Sequence, residues 1–180
     1  MKYILLTSLL GAVALAGCET TSSRPYTAST ENIIALKKAI PSSKKVEIGD
    51  FTAAEGVDVE PSCRALGALE VAPGKTPMEF IQDALREEVF KADAYDESGT
   101  PLTGLLTELK PDSLGRVSWD IGLNISSPKK PEGIDVATRY EFKSSYSAIS
   151  ACQNVIDAFT PAVQETISKV VSHPEFQSLL

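Results

Sequence analysis

Among 180 residues there is one histidine, His173, and that scarcity removes most hydrolytic machinery at once. It stands before Pro174 near the end of the chain and reads as a solvent-exposed helix end. No Ser-His-Asp or Cys-His arrangement assembles around it. A G-x-S-x-G elbow, an H-E-x-x-H pair and a Gly-rich phosphate loop are also missing. Gly74-Lys75-Thr76 lacks the upstream glycines of a P-loop and reads as the approach to a helix cap. Cysteine is sparse, at three, with no C-x-x-C spacing, so neither a metal nor a cofactor is expected. Positive charge is in deficit, with a net charge of -7. Such a surface repels phosphates, so no nucleic-acid partner and no general grip on anionic headgroups is expected. A local basic spot stays open, and Lys129-Lys130 at a hairpin tip is the one compact example outside the helices. Carboxylates are plentiful, but the imaginable pair Asp120 and Glu141 falls on a solvated strand face without an evident pocket to raise one pKa. No catalytic residue is assigned, and an enzyme is not expected.

Long apolar runs are missing too. "ILLTSLLGAVALA", behind the single positive charge of Lys2, is too short to span a bilayer and has the three-part pattern of a secretory signal peptide. Its end, Leu15-Ala16-Gly17-Cys18, resembles the lipobox of bacterial lipoproteins. The resemblance implies that residues 1–17 are removed and that Cys18 becomes the first residue, diacylglycerol on its sulfur and an acyl group on its amine. Glu19, rather than Asp, implies sorting to the outer membrane, on the periplasmic side. Each buried methylene contributes about 0.8 kcal/mol, so several chains together make a durable membrane anchor. The two other cysteines, Cys63 and Cys152, are favoured to pair in an oxidising periplasm, the alternative being two buried free thiols.

Residues 18–30, "CETTSSRPYTAST", contain almost nothing to bury and read as a flexible tether with a span of about 20 Å. Residues 31–180 form one domain. "ENIIALKKAIP" suits a short helix with Ile33, Leu36 and Ile40 on one side, and "KKVEIGDF" alternates as a half-buried strand. In "TPMEFIQDALREEVFKADAY", Thr76 is an N-cap, Pro77 takes the first helical position and Glu79 completes a capping box. Phe80, Ile81, Ala84, Leu85, Val89 and Ala92 then form its apolar stripe. Three strands follow. Leu102–Leu109 is the first. "RVSWDIGLNI" turns Val117, Trp119, Ile121, Leu123 and Ile125 one way and Ser118, Asp120, Gly122 and Asn124 the other. "DVATRYEFKSSYS" sets Val136, Tyr140, Phe142 and Tyr146 against Arg139, Glu141 and Lys143. The last helix starts near Ser150, and Pro161 is expected to kink or restart it. After it, Phe176 and Leu179 tuck against the body. The expected fold is a two-layer α+β sandwich, β-α-β-β-β-α, with two helices on one face of a small, mostly antiparallel sheet.

In this order of elements the stretches "VEIGDF", "FIQDALREEVFKADAY", "RVSWDIGLNI", "YEFKSSYSAISACQNVIDAF" and "VQETISKVVSHPEFQSLL" resemble the YajG-type bacterial lipoproteins. That family has no assigned chemistry. The expected role is therefore a lipid-anchored adaptor or structural module acting through protein contacts. Its partner surface would be the wet sheet face, with Asp120, Asn124, Arg139, Glu141 and Lys143, alongside any strand edge left open to β-augmentation. The competing class is an accessory lipoprotein of a lipid or lipopolysaccharide transport machine. It would need an apolar groove or a basic rim beyond Lys129-Lys130.

Overall fold

A computed structural model describes residues 25–64 and 66–180. Helix α1 (Thr30–Ala39) is capped by Ser29 and precedes strand β1 (Val46–Ala53). Helix α2 (Pro77–Lys91) carries the expected cap: the Thr76 hydroxyl accepts from the Glu79 N–H, and the Glu79 carboxylate accepts from the Thr76 N–H. Strands β2 (Thr100–Asp112), β3 (Ser118–Ser127) and β4 (Lys130–Glu141) form the meander, followed by α3 (Ala148–Val171) and a 3-10 turn, Phe176–Leu179. Strand order is β1-β2-β3-β4. The first pair is parallel, joined across α2, and the other two are antiparallel. The α+β sandwich expected from the sequence is the architecture observed. A third helix, α1, joins the layer and packs against α2 and α3.

The strand alternation sets the core. Leu106, Leu123 and Val136 lie in register, as do Leu109, Ile121 and Thr138, all turned toward the helices. Trp119 is fully buried, and its indole N–H donates to the Val155 carbonyl of α3 at 2.8 Å. From it a row of rings crosses the helix layer: Trp119 to Phe159 at 4.8 Å, Phe159 to Phe80 at 5.3 Å, and Phe80 to Tyr26 at 5.6 Å. The row ends in the segment read as a tether. Residues 25–29 are thus packed on the body, because Tyr26 supplies the apolar surface that its polar neighbours lack.

Two further expectations fail locally. Helix α3 runs through Pro161 as one helix. The carbonyl that loses its partner there belongs to exposed Asp157, on the solvent side, while buried Val155, Phe159, Ala162 and Val163 hold the helix on the sheet. Strand β4 ends at Glu141, so Lys143 lies in the following loop and Tyr146 is fully exposed instead of sharing the core face of Val136.

Side chains of the helix layer reach the marginal strands. Gln82 and Arg86 of α2 donate to the carbonyls of Gly49 and Ile48 in β1, and Lys169 of α3 donates to Ala137 O in β4.

Candidate functional site

The outer sheet face is built by the same alternation that fills the core. Asp120 pairs across the ladder with Arg139, Asn124 with Asp135, and Ser118 with Glu141. These neighbours satisfy one another. Arg139 Nε donates to Asp120 Oδ1 at 2.6 Å, and that hydrogen bond raises the guanidinium above its ordinary value. Asn124 Nδ2 donates to Asp135 Oδ1 at 2.9 Å and to Glu132 O at 3.0 Å. Arg139 and Glu141 are exposed, whereas Ser118, read as part of the wet face, is fully buried. Asp120 and Glu141 therefore share the open face as diagonal neighbours, with Asp120 held by the arginine.

The basic spot at the hairpin tip has a different occupation from the one expected. Lys129 and Lys44 both donate to the main-chain oxygen of Leu180, the latter at 2.8 Å. Lys130 pairs with Glu132 at 2.9 Å and Glu175 at 3.1 Å. Folding brings residues 175–180 back over the tip and consumes both cations, which no local pattern announces. His173 lies just past the end of α3, its Nδ1 accepting from the Glu175 N–H at 3.2 Å. Lys75 pairs with Asp83 beside the α2 cap, so Gly74-Lys75-Thr76 does serve as the approach to a helix. Among the described residues no group of three or more His, Cys, Asp or Glu side chains is placed to hold a metal ion.

Cys63 and Cys152 form a disulfide. It fastens the loop after β1 to the first turns of α3, with both sulfurs buried. Next to it Arg64, in a left-handed backbone conformation (φ 51°), ties three loops together. Its Nε donates to Ser113 Oγ at 3.2 Å, and its Nη2 donates to Ser113 O at 3.0 Å and Ser145 O at 3.3 Å. The β2–β3 turn there is pinned by Asp112. Its carboxylate accepts the N–H groups of Gly115, Arg116 and Leu114, which hold its pKa down to about 2.

Sequence reasoning missed the buried carboxylate of α2. Glu88 is fully buried between the N-terminal segment, α1 and α3. Its Oε1 accepts from the Tyr26 hydroxyl, from Ser29 N at 3.1 Å and from Asn32 Nδ2 at 3.2 Å, and Asn32 also donates to Gln164 O at 2.9 Å. Oε2 has no partner. Burial pushes the Glu88 carboxyl above its ordinary value despite these hydrogen bonds, and burial followed by Glu88 raises the Tyr26 hydroxyl. The one available signal was spacing: Glu88 falls four residues after Ala84, inside the apolar stripe.

A raised carboxyl value fixes the sign of the linkage. The contribution of Glu88 is fully present below the ordinary value of 4.5 and is lost as pH rises through the higher folded value. The titratable neighbours are Tyr26 and Glu87, while α1 and α3 present only Asn32 and the Gln164 carbonyl. Urea midpoints measured across this range should fall with rising pH in the native chain. In Glu88→Gln that part of the slope should vanish.

Cys18 and the signal-peptide reading lie outside the described residues. No helix among the described residues is long and apolar enough to cross a membrane. No family model matches the chain, and no curated protein sequence matches it. The chain is similar to the crystal structure of a Xanthomonas campestris protein of family DUF330. The two are 14% identical, the match covers 71% of this chain and 84% of that one, and the TM-score is 0.43.

Proposed function

We propose that the protein is a lipid-anchored lipoprotein of the bacterial outer membrane, facing the periplasm, and that it works as a non-catalytic adaptor or structural module through protein contacts. The observation that carries the reading is Leu15-Ala16-Gly17-Cys18 directly behind an apolar leader. The Cys63–Cys152 bond supports it, since such bonds persist in oxidising compartments. The resemblance of the quoted stretches to YajG-type lipoproteins agrees with it. The space between sheet and helices, where a carried lipid would sit, is occupied by Trp119, Phe159 and Phe80, which favours an adaptor over a carrier.

Radiolabelled palmitate tests the anchor. The native chain takes up label in a globomycin-sensitive way, and Cys18→Ser takes up none. Continued labelling of Cys18→Ser overturns the reading. Crosslinking from Asp120 and Glu141 in cells then identifies what meets the sheet face, and capture of nothing from either position speaks against the adaptor.

A further inference from the structure

Large exposed apolar side chains are not scattered over this molecule. Among the described residues four of the seven, Leu66, Leu114, Tyr146 and Ile149, lie at the disulfide end. Leu114 and Tyr146 line one cleft with Arg64, while Leu66 and Ile149 line the adjoining one beside Cys63 and Cys152. Isolated exposed leucines need no explanation, but a cluster on one end marks an interaction surface.

The charge around the cluster is mixed, with Glu70 lining the cleft of Leu66 and Ile149 and cations standing in the neighbouring turns. Arg64, Arg116 and Lys143 belong to the same three loops, and none of them forms an ion pair among the described residues. The nearest carboxylate in the β2–β3 turn, Asp112, is already committed to three backbone N–H groups. This end presents apolar side chains beside Arg116 and Lys143, while the Arg64 guanidinium also donates to Ser113 and Ser145. Tyrosine and leucine beside arginine suit the boundary of headgroups and acyl chains, where rings and stems bury while cations meet phosphates.

The start of the described chain packs against the middle of α3. Pro25 shares a cleft with Ile156, Thr160 and Pro161 of α3, and Ile156 also borders the cleft of Ile149 and Leu66. Six residues lie between Cys18 and Pro25, and even fully extended the seven steps reach only about 25 Å. A lipid on Cys18 therefore keeps this end within reach of its own bilayer.

We infer that the disulfide end, through Leu114, Tyr146, Ile149 and Leu66 with Arg64 and Arg116, rests on the phospholipid leaflet that holds the anchor. The contact is a second, weaker attachment that orients the domain, and it leaves the sheet face turned to protein partners. The inference rests on the proposed anchoring at Cys18. Its test separates the two. The full chain is reconstituted into vesicles of phosphatidylethanolamine and phosphatidylglycerol containing a phospholipid with a diazirine beside its glycerol backbone. After illumination, peptides are mapped by mass. Label is expected in the peptides holding residues 64–67, 113–116 and 144–149, with β3 unlabelled. Leu114→Ser/Tyr146→Ser/Ile149→Ser, all exposed positions whose change leaves the core intact, should lose that label. Label spread evenly over β3 and the loops overturns the inference. So does a benzophenone side chain at Tyr146 that captures a protein in cells while the loops stay unlabelled in vesicles. The mass of the peptide bearing Cys18 is read from the same sample. Lipidated Cys18 with unlabelled loops sinks the contact and spares the anchor, and unmodified Cys18 with labelled loops does the reverse.

Discussion

Replacing both Cys63 and Cys152 with alanine should lower the unfolding free energy by as much as about 4.5 kcal/mol, the value chain entropy assigns to a loop of this size. The bond joins positions 89 residues apart, and the loop it closes contains α2, β2, β3 and β4. In the unfolded chain it removes a large share of the accessible conformations, and that restriction disappears in the alanine pair. The residues after β1 make few regular backbone bonds of their own. Among its described residues that loop has isolated bridges such as Ser62 with Ala68 and a few turn bonds, and it is held by Arg64, the disulfide and the buried side chains of Leu69, Val71 and Ala72. Loss of stability should therefore be accompanied by loss of order there first. Urea unfolding of oxidised native protein and the alanine pair measures the first effect, and hydrogen exchange over residues 54–75 the second. A midpoint unchanged by the substitutions would mean that the native state is strained by as much as the unfolded state is restricted.

Trp119→Ala should cost about 3–5 kcal/mol, the range for removing a large buried aromatic side chain. Trp119 has no exposed surface and stands where β3 meets α3. Truncation removes the first ring of the row, leaving Phe159 without its neighbour at 4.8 Å. It also removes the donor at 2.8 Å from Val155 O. Trp119→Phe keeps most of the volume and loses the donor, so it should cost about 1–2 kcal/mol, near the worth of one hydrogen bond with some packing. Denaturant midpoints for the two variants check the ordering, alanine far below phenylalanine. Equal losses would assign the effect to the indole N–H instead of to packing.

Those two sites were legible in the amino-acid sequence because local rules and global packing agree there. Trp119 sits in the cleanest alternation in the chain, and that alternation alone turns it inward. Thr76, Pro77 and Glu79 announce α2 without reference to anything distant. What was not legible depends on contacts between residues far apart. Tyr26 looks like part of a polar tether until Phe80 and Glu88, more than fifty positions later, are placed against it. Lys129 looks like a free cation until the chain returns at Leu180. Tyr146 keeps the strand period of Val136 and Tyr140, yet β4 stops at Glu141, and periodicity cannot say where pairing ends. Asn32 and Glu88 occupy interior positions on their helices only because each supplies what the other needs. The partner surface has the same limit. Asp120, Asn124, Arg139 and Glu141 share one sheet face while Lys143 falls beyond β4, and the bond between Arg139 and Asp120 that quiets their charge belongs to the ladder register.

The side chains that reach the sheet margins bear on how many copies coexist. A bare outer strand invites a second molecule to zip onto it. Here Gln82, Arg86 and Lys169 already occupy acceptors along both boundary strands. An intermolecular ladder must first evict them, at the cost of bonds made inside the fold. Resistance to fibrous self-association is thus supplied by the helices and does not depend on net negative charge, so it persists at ionic strengths that screen the repulsion between neighbours.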